Sequence, residues 1–201
     1  MYSKSTNLVL GFHGCDRKVM ESLLKGEEMA QSHKSYDWLG HGTYFWEGDP
    51  VRAFEWAEEL SQKPGSKITE PAVVGAVIDL GRCLDTSNRS CIQTLQKGYD
   101  FLAKLCADEG RPIPRNENIK DSKDWIKRNL DCAVIEMVHE LLRSKGLPAF
   151  DSARSIFTEG NAAYDGSGFK EKTHIQICVI NPNCIKGIFV PREANSDYSM
   201  P

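Results

Sequence analysis

GFHGC, residues 11–15, closes a run of apolar residues that begins at Leu8 and stands just before Asp16. Leu8 to Phe12 has the length and hydrophobicity of a short buried strand, ended by His13-Gly14. Asp16 suits the N-cap of a helix that runs to about Lys25, with Val19, Leu23 and Leu24 on its inner face. The order is strand, glycine turn, helix, with an imidazole where the strand ends.

Working outward, the next ordered stretch is LGHGTYFWEGD, residues 39–49, in which Gly42 to Phe45 reads as a brief strand beyond a glycine-rich turn. Asp49-Pro50 supplies a cap and a favoured first helical residue, so a helix is expected over Val51 to Leu60, ended by Lys63-Pro64-Gly65. Ala72 to Leu80 is strongly β-forming and reads as a central strand. From Ser90 to Ser144 the periodicity is helical, in two amphipathic stretches parted by a Pro-rich turn at Arg111 to Arg115. Gly146-Leu147-Pro148 stops the second stretch, and Phe150 to Phe157 is a further strand. Glu159 to Lys170, rich in Gly, Asn and Ser, reads as a surface loop leading into a strand over Thr173 to Ile180. The turn Asn181-Pro182-Asn183 precedes a last strand, Ile185 to Val190, and the tail from Arg192 is polar and loose. Strands and helices in this mixture predict an α+β class.

Composition narrows the function. The 201 residues, 40% hydrophobic, fit a single domain over 1–201 with no internal repeat. A net charge of -3 with no dense basic run argues against sequence-nonspecific duplex binding. No apolar stretch approaches the roughly 18 residues of a membrane span, so a soluble, unprocessed, cytoplasmic protein that does not engage membranes is expected. Seven cysteines without a CxxC pair predict reduced thiols rather than a disulfide framework or zinc ribbon. The histidines show no ligand spacing with Cys or carboxylates, so no metal site is expected.

The order FHG, then GHGTYF, then HIQICVINPNCI resembles the H-Y-E group of ADP-ribosyltransferases, the diphtheria-toxin-like and PARP-like enzymes, in a small bacterial form. The likeness covers the start, first third and last quarter of the chain, and leaves Ser90 to Ser144 as a helical insert. It implies an ADP-ribosyltransferase-like fold: a mixed antiparallel β core in two small sheets with flanking helices. It implies NAD as co-substrate, with His13 bonding a ribose hydroxyl and the Gly14 backbone holding the nicotinamide carboxamide. Gly40, Gly42 and Tyr44 match the turn and the tyrosine that stacks on nicotinamide, and Phe54 or Trp56 is the second stacking aromatic. The third position, commonly Glu, falls on Gln176, with Glu171, His174 and Glu159 as neighbouring alternatives and Glu159 also a candidate base toward the acceptor. Gln at that position implies mono-ADP-ribosyl transfer or an inactive enzyme, not polymer synthesis.

The chemistry of the residues agrees with these roles. Breaking the nicotinamide–ribose bond builds positive charge on the ribose while the leaving group is held still. Glycine lets a planar amide reach the backbone, a tyrosine ring offers it a surface, and a glutamine bonds a hydroxyl without countering cationic charge. Three expectations follow. The first is a mono-ADP-ribosyltransferase acting on a protein or nucleic-acid acceptor, of the kind found in toxin–antitoxin or phage-defence systems and so restrained by an antitoxin. The second is a module that holds NAD or ADP-ribose without turnover, and the third is NAD hydrolysis.

Overall fold

The computed structural model describes residues 8–118, 125–193 and 197. The expected tail from Arg192 lies largely outside them. Among the described residues the architecture is α+β, a seven-stranded mixed sheet with four α-helices and a separate two-stranded ribbon.

The first strand, β1, runs over Leu8–Asp16, so His13 and Gly14 lie inside it rather than at its end. All nine residues pair with β3, Pro71–Asp79, from Leu8↔Asp79 to Asp16↔Pro71, and that long-range register extends the strand past the glycine. Asp16 does cap the following helix α1, Arg17–Leu24, accepting a hydrogen bond from Lys18 N–H at 3.0 Å. Its second oxygen accepts from Thr69 N–H, Thr69 Oγ1 and Glu70 N–H. These donors hold the carboxyl well below the usual carboxylate range. Only Leu23 of α1 is buried. Val19 and Leu24, expected inside, are 45% and 41% exposed, because so short a helix turns only its Met20–Leu23 edge to Cys15 and Val74.

After β2, Thr43–Glu47, the helix α2 covers Pro50–Ser61, with Asp49 accepting from Arg52 N–H at 2.8 Å and Pro50 in the first turn. The remaining strands of the sheet are β4 (Cys83–Asp85), β7 (Ser152–Phe157), β8 (His174–Val179) and β9 (Ile185–Phe189). The stretch expected to be helical, Ser90 to Ser144, forms α3 (Arg89–Asp108) and α4 (Asn129–Ser144). The Pro-rich stretch at Arg111 to Arg115 leads from α3 into a ribbon of β5 (Asn116–Asn118) and β6 (Trp125–Arg128), which precedes α4.

The order across the sheet is β4-β7-β8-β2-β1-β3-β9, antiparallel throughout except for β4 against β7. This corrects the expectation of two small sheets. The groups β4-β7-β8-β2 and β1-β3-β9 are one sheet, but the ladder between them has only two paired rungs, Gly11↔Glu47 and Phe12↔Trp46. Residues paired across a sheet share a face, so Phe12, Gly14, Tyr44, Trp46, Gln176 and Ser155 lie on one side. On that side Ala53 and Trp56 of α2 pack against Phe12 and Trp46, and Ile135 of α4 against Leu84, Ala153 and Cys178. The other side buries Phe45, Ala76, Ile78, Ile177 and Val179, with α1 over its β3 end.

Candidate functional site

The seam between β1 and β2 organises the predicted residues. Alternate residues of a strand turn both backbone groups to the same neighbour. Leu10 C=O accepts from Gly48 N–H on the β2 side at 2.9 Å, so Phe12 and Gly14 turn theirs to that side as well. The β2 register ends at Phe12↔Trp46, which leaves the N–H and C=O of Gly14 facing the seam beyond its last rung. Glycine is needed there for a second reason. A Cβ on Gly14 would stand 2.1 Å from the Ala53 carbonyl oxygen of α2.

His13 closes the seam from the opposite face, the side of Phe45, whose ring centroid is 5.9 Å from the imidazole. Its Nδ1 lies 2.8 Å from the Tyr44 carbonyl oxygen. A carbonyl only accepts, so Nδ1 carries the proton and Nε2 is the ring's acceptor. Burial lowers the His13 pKa, with the bond to Tyr44 opposing, and the ring is neutral near pH 7.

Tyr44 spends its hydroxyl on the preceding turn, accepting from Leu39 N–H at 2.9 Å and donating to Gly40 C=O at 2.8 Å. Gly40 takes φ +83°, which a side chain would strain, so glycine and phenol together fix the 39–42 turn. Burial raises the Tyr44 pKa far above its ordinary value. What it can offer a ligand is ring surface. Gln176 Oε1 accepts from Trp38 Nε1–H at 2.6 Å, which leaves the Gln176 amide N–H groups as donors. Residues 38–44 therefore hold all three members of the predicted set: Trp38 grips Gln176, Leu39 and Gly40 grip the Tyr44 hydroxyl, and Tyr44 grips His13. Tyr44 and Gln176 share one face, and His13 meets them across the seam.

The other candidates lie along α2. Trp56 packs on Trp46, ring centroids 5.4 Å apart, whereas Phe54 is 39% exposed. Glu159 accepts from Arg52 Nη2–H at 3.1 Å, and the buried Arg52 also approaches Glu59 at 3.5 Å and Glu55 at 3.7 Å. Glu171 faces its own loop, accepting from Asn161. Cys15, beside the seam, is buried and its thiol is pushed up to about 11, so it is a packing group. All seven cysteines are free. Among the described residues no group of three or more His, Cys, Asp or Glu side chains is placed to hold a metal ion. Nor is any helix among them long and apolar enough to cross a membrane.

Sequence reasoning gave too little weight to His174, Trp46 and Arg52. Each has a buried polar atom without a hydrogen-bond partner: His174 Nε2, Trp46 Nε1 and Arg52 Nε. His174 Nδ1 donates to Lys172 C=O at 2.7 Å, so Nε2 is a bare acceptor, and the ring stacks on Phe157 with 6.1 Å to Trp46. Buried polar atoms left unpaired are uncommon, and these three lie along the α2 side of the seam. The legible signal was a histidine at the mouth of an apolar strand, two residues from Gln176 on the same face.

Burial also lowers the pKa of His139 and His174. Native His13, His139 and His174 take up protons at lower pH than the unfolded chain, which protonates near pH 6.5. The unfolded state then binds more protons, so stability falls as pH drops through that range, by up to about 1.4 kcal/mol per group per pH unit. Urea denaturation at pH 7.5 and 5.5 should show this loss, and His139→Leu should remove part of it; equal stability at both pH values would contradict it.

No family model matches the chain, and no solved structure matches it. It is similar to Uncharacterized protein MJ0359 of Methanocaldococcus jannaschii, 25% identical over 194 residues that cover 87% of this chain and 83% of that protein.

Proposed function

We propose that the chain is a mono-ADP-ribosyltransferase of the diphtheria-toxin-like and PARP-like kind, which binds NAD at the β1–β2 seam and passes ADP-ribose to a macromolecular acceptor. The observation that carries this reading is the end of the β1–β2 ladder immediately before His13-Gly14. A backbone N–H and C=O beyond the last rung match the acceptor and donor of a primary carboxamide. The neutral His13 offers Nε2 to a ribose hydroxyl, the Tyr44 ring gives nicotinamide a surface, and Gln176 supplies N–H donors toward the ribose. Trp56 is preferred to Phe54 as the second aromatic, since it faces the sheet.

As the bond to nicotinamide breaks, the ribose gains positive charge that Gln176 does not counter. The reaction is expected to be slow and to depend on its acceptor. With Arg52 holding its carboxylate, Glu159 acts first as the anchor of the 159–170 loop, and proton removal from an acceptor is its secondary role. The assignment as a cytoplasmic toxin restrained by an antitoxin belongs to the same proposal.

The test is nicotinamide release from labelled NAD, with a search for ADP-ribose adducts in lysate. His13→Ala should reduce release at least 100-fold while the protein stays folded; wild-type release in that variant, or none from either protein, refutes the reading. The engagement of Gln176 by Trp38 favours one alternative, a module that binds NAD or ADP-ribose without cleaving it. Calorimetric NAD binding without nicotinamide release identifies that case.

A further inference from the structure

A cavity of about 660 Å³ lies away from the seam, between the helical insert and the β4–β7 end of the sheet. That volume is within the range of small-molecule and side-chain pockets. Its walls are Trp38 and Tyr99, its polar groups include Gln96, Asp100, Arg128 and Asp131, and its base carries the hydroxyls of Thr86 and Ser155, which bond to each other. It joins the candidate site through two residues. Trp38 holds Gln176 by its indole N–H, and Ser155 is the direct cross-strand partner of Gln176.

Charge and shape restrict what fits. Among the described residues the lining holds two carboxylates against one guanidinium, and Arg128 already pairs with Asp131 at 3.8 Å. Asp100 enters no ion pair among the described residues and is the carboxylate left for a ligand. A negative pocket on a chain of net charge -3 disfavours a polyanion and selects a cation. The aromatic walls select a flat one. Arg128 itself shows that this wall takes a guanidinium, whose carbon stands 4.6 Å from the Trp38 ring centroid and 4.9 Å from that of Phe157. Tyr99, 42% exposed, offers a second ring without a partner cation.

We propose that this cavity is a recognition pocket for an arginine side chain of a partner protein, with its guanidinium against Tyr99 and paired to Asp100. A planar fork of donors meets a carboxylate with two parallel hydrogen bonds and stacks on an aromatic face, which a lysine ammonium cannot do equally well. That this partner is the acceptor rests on the proposed transfer reaction; the pocket itself does not. The helical insert, which the family likeness leaves unexplained, then has the task of recognising the acceptor beside Gln176.

The test measures binding in the absence of NAD, so its outcome is independent of catalysis. Blocked tripeptides Gly-Arg-Gly, Gly-Lys-Gly and Gly-citrulline-Gly are titrated into the full-length protein by calorimetry or NMR. The arginine peptide should bind saturably, with the citrulline peptide at least tenfold weaker, and Asp100→Asn should cost the arginine peptide a similar factor. Asp100 is exposed, so that substitution leaves the fold intact, and Tyr99→Leu should weaken binding several-fold as a second check. Equal binding of arginine and citrulline peptides, unchanged affinity in Asp100→Asn, or displacement of the peptide by adenosine monophosphate overturns the proposal. Absence of nicotinamide release would refute the transferase reading and leave this one standing.

Discussion

Gly14→Ala is expected to lower the unfolding free energy by about 3 kcal/mol, the upper end of the usual cost of overpacking, and to abolish nicotinamide release. The added methyl would sit 2.1 Å from the Ala53 carbonyl oxygen and 3.2 Å from Ala57 Cβ. Both obstacles belong to α2, and one is backbone, so no rotamer change relieves the contact. The helix has to move off the sheet. Ala53 and Trp56 then lose their seat on Phe12 and Trp46, and the backbone edge of Gly14 is displaced from the seam. Gly187→Ala is the matched control, because a Cβ there meets nothing within 4 Å and the backbone is not in the left-handed region. It should change stability by no more than about 0.5 kcal/mol. Urea denaturation of the two variants decides the packing claim, and NAD calorimetry on folded Gly14→Ala decides the functional one. Equal stability of the two variants, or wild-type NAD binding by Gly14→Ala, would remove the role given to this residue.

The parts of the fold that were legible in the sequence are those fixed by neighbours along the chain. Asp16 and Asp49-Pro50 cap α1 and α2 because a carboxylate next to a run of helix formers bonds the free N–H groups of the first turn. The strands over 72–80, 173–180 and 185–190 announce themselves by composition and differ from β3, β8 and β9 by one residue at most of their ends. What is set by distant residues was not legible. β1 continues through His13 and Gly14 because β3 pairs with them, and no local signal at residue 13 reveals a partner at residue 74. The exposure of Val19 and Leu24 depends on which edge of α1 meets the sheet. The β5–β6 ribbon rests on pairing between Asn116–Asn118 and Trp125–Arg128, segments of three and four residues that are too short to carry a strand pattern of their own.

The candidate site divides in the same way. His13, Gly14 and Tyr44 stand out through the glycines beside them, and the fold brings them to one seam. The partnership between Gln176 and Trp38, 138 positions apart in the chain, needs the sheet order to exist. The unpaired atoms of Trp46, Arg52 and His174 are invisible in sequence, because a side chain is unsatisfied only by comparison with what surrounds it.

Gln176→Glu is expected to raise nicotinamide release by about 100-fold, equivalent to roughly 2.7 kcal/mol of transition-state stabilisation. The substitution preserves shape, and a Glu oxygen accepts from the Trp38 indole N–H as the Gln oxygen does, so the bond that orients the side chain survives. The new feature is a full negative charge on the strand facing the seam. Positive charge that develops on the ribose is stabilised most by a fixed carboxylate whose position costs no reorganisation at the moment of reaction. The gain belongs in kcat, with KM for NAD little changed, since the interaction strengthens only as the bond to nicotinamide breaks. Trp38→Phe serves as the complement: it deletes the indole donor, releases the side chain at position 176, and should cancel most of the gain when combined with Gln176→Glu. If Gln176→Glu binds NAD but releases no more nicotinamide than the wild-type chain, residue 176 does not face the reacting ribose. The passive-binding alternative would then be the better account of the seam.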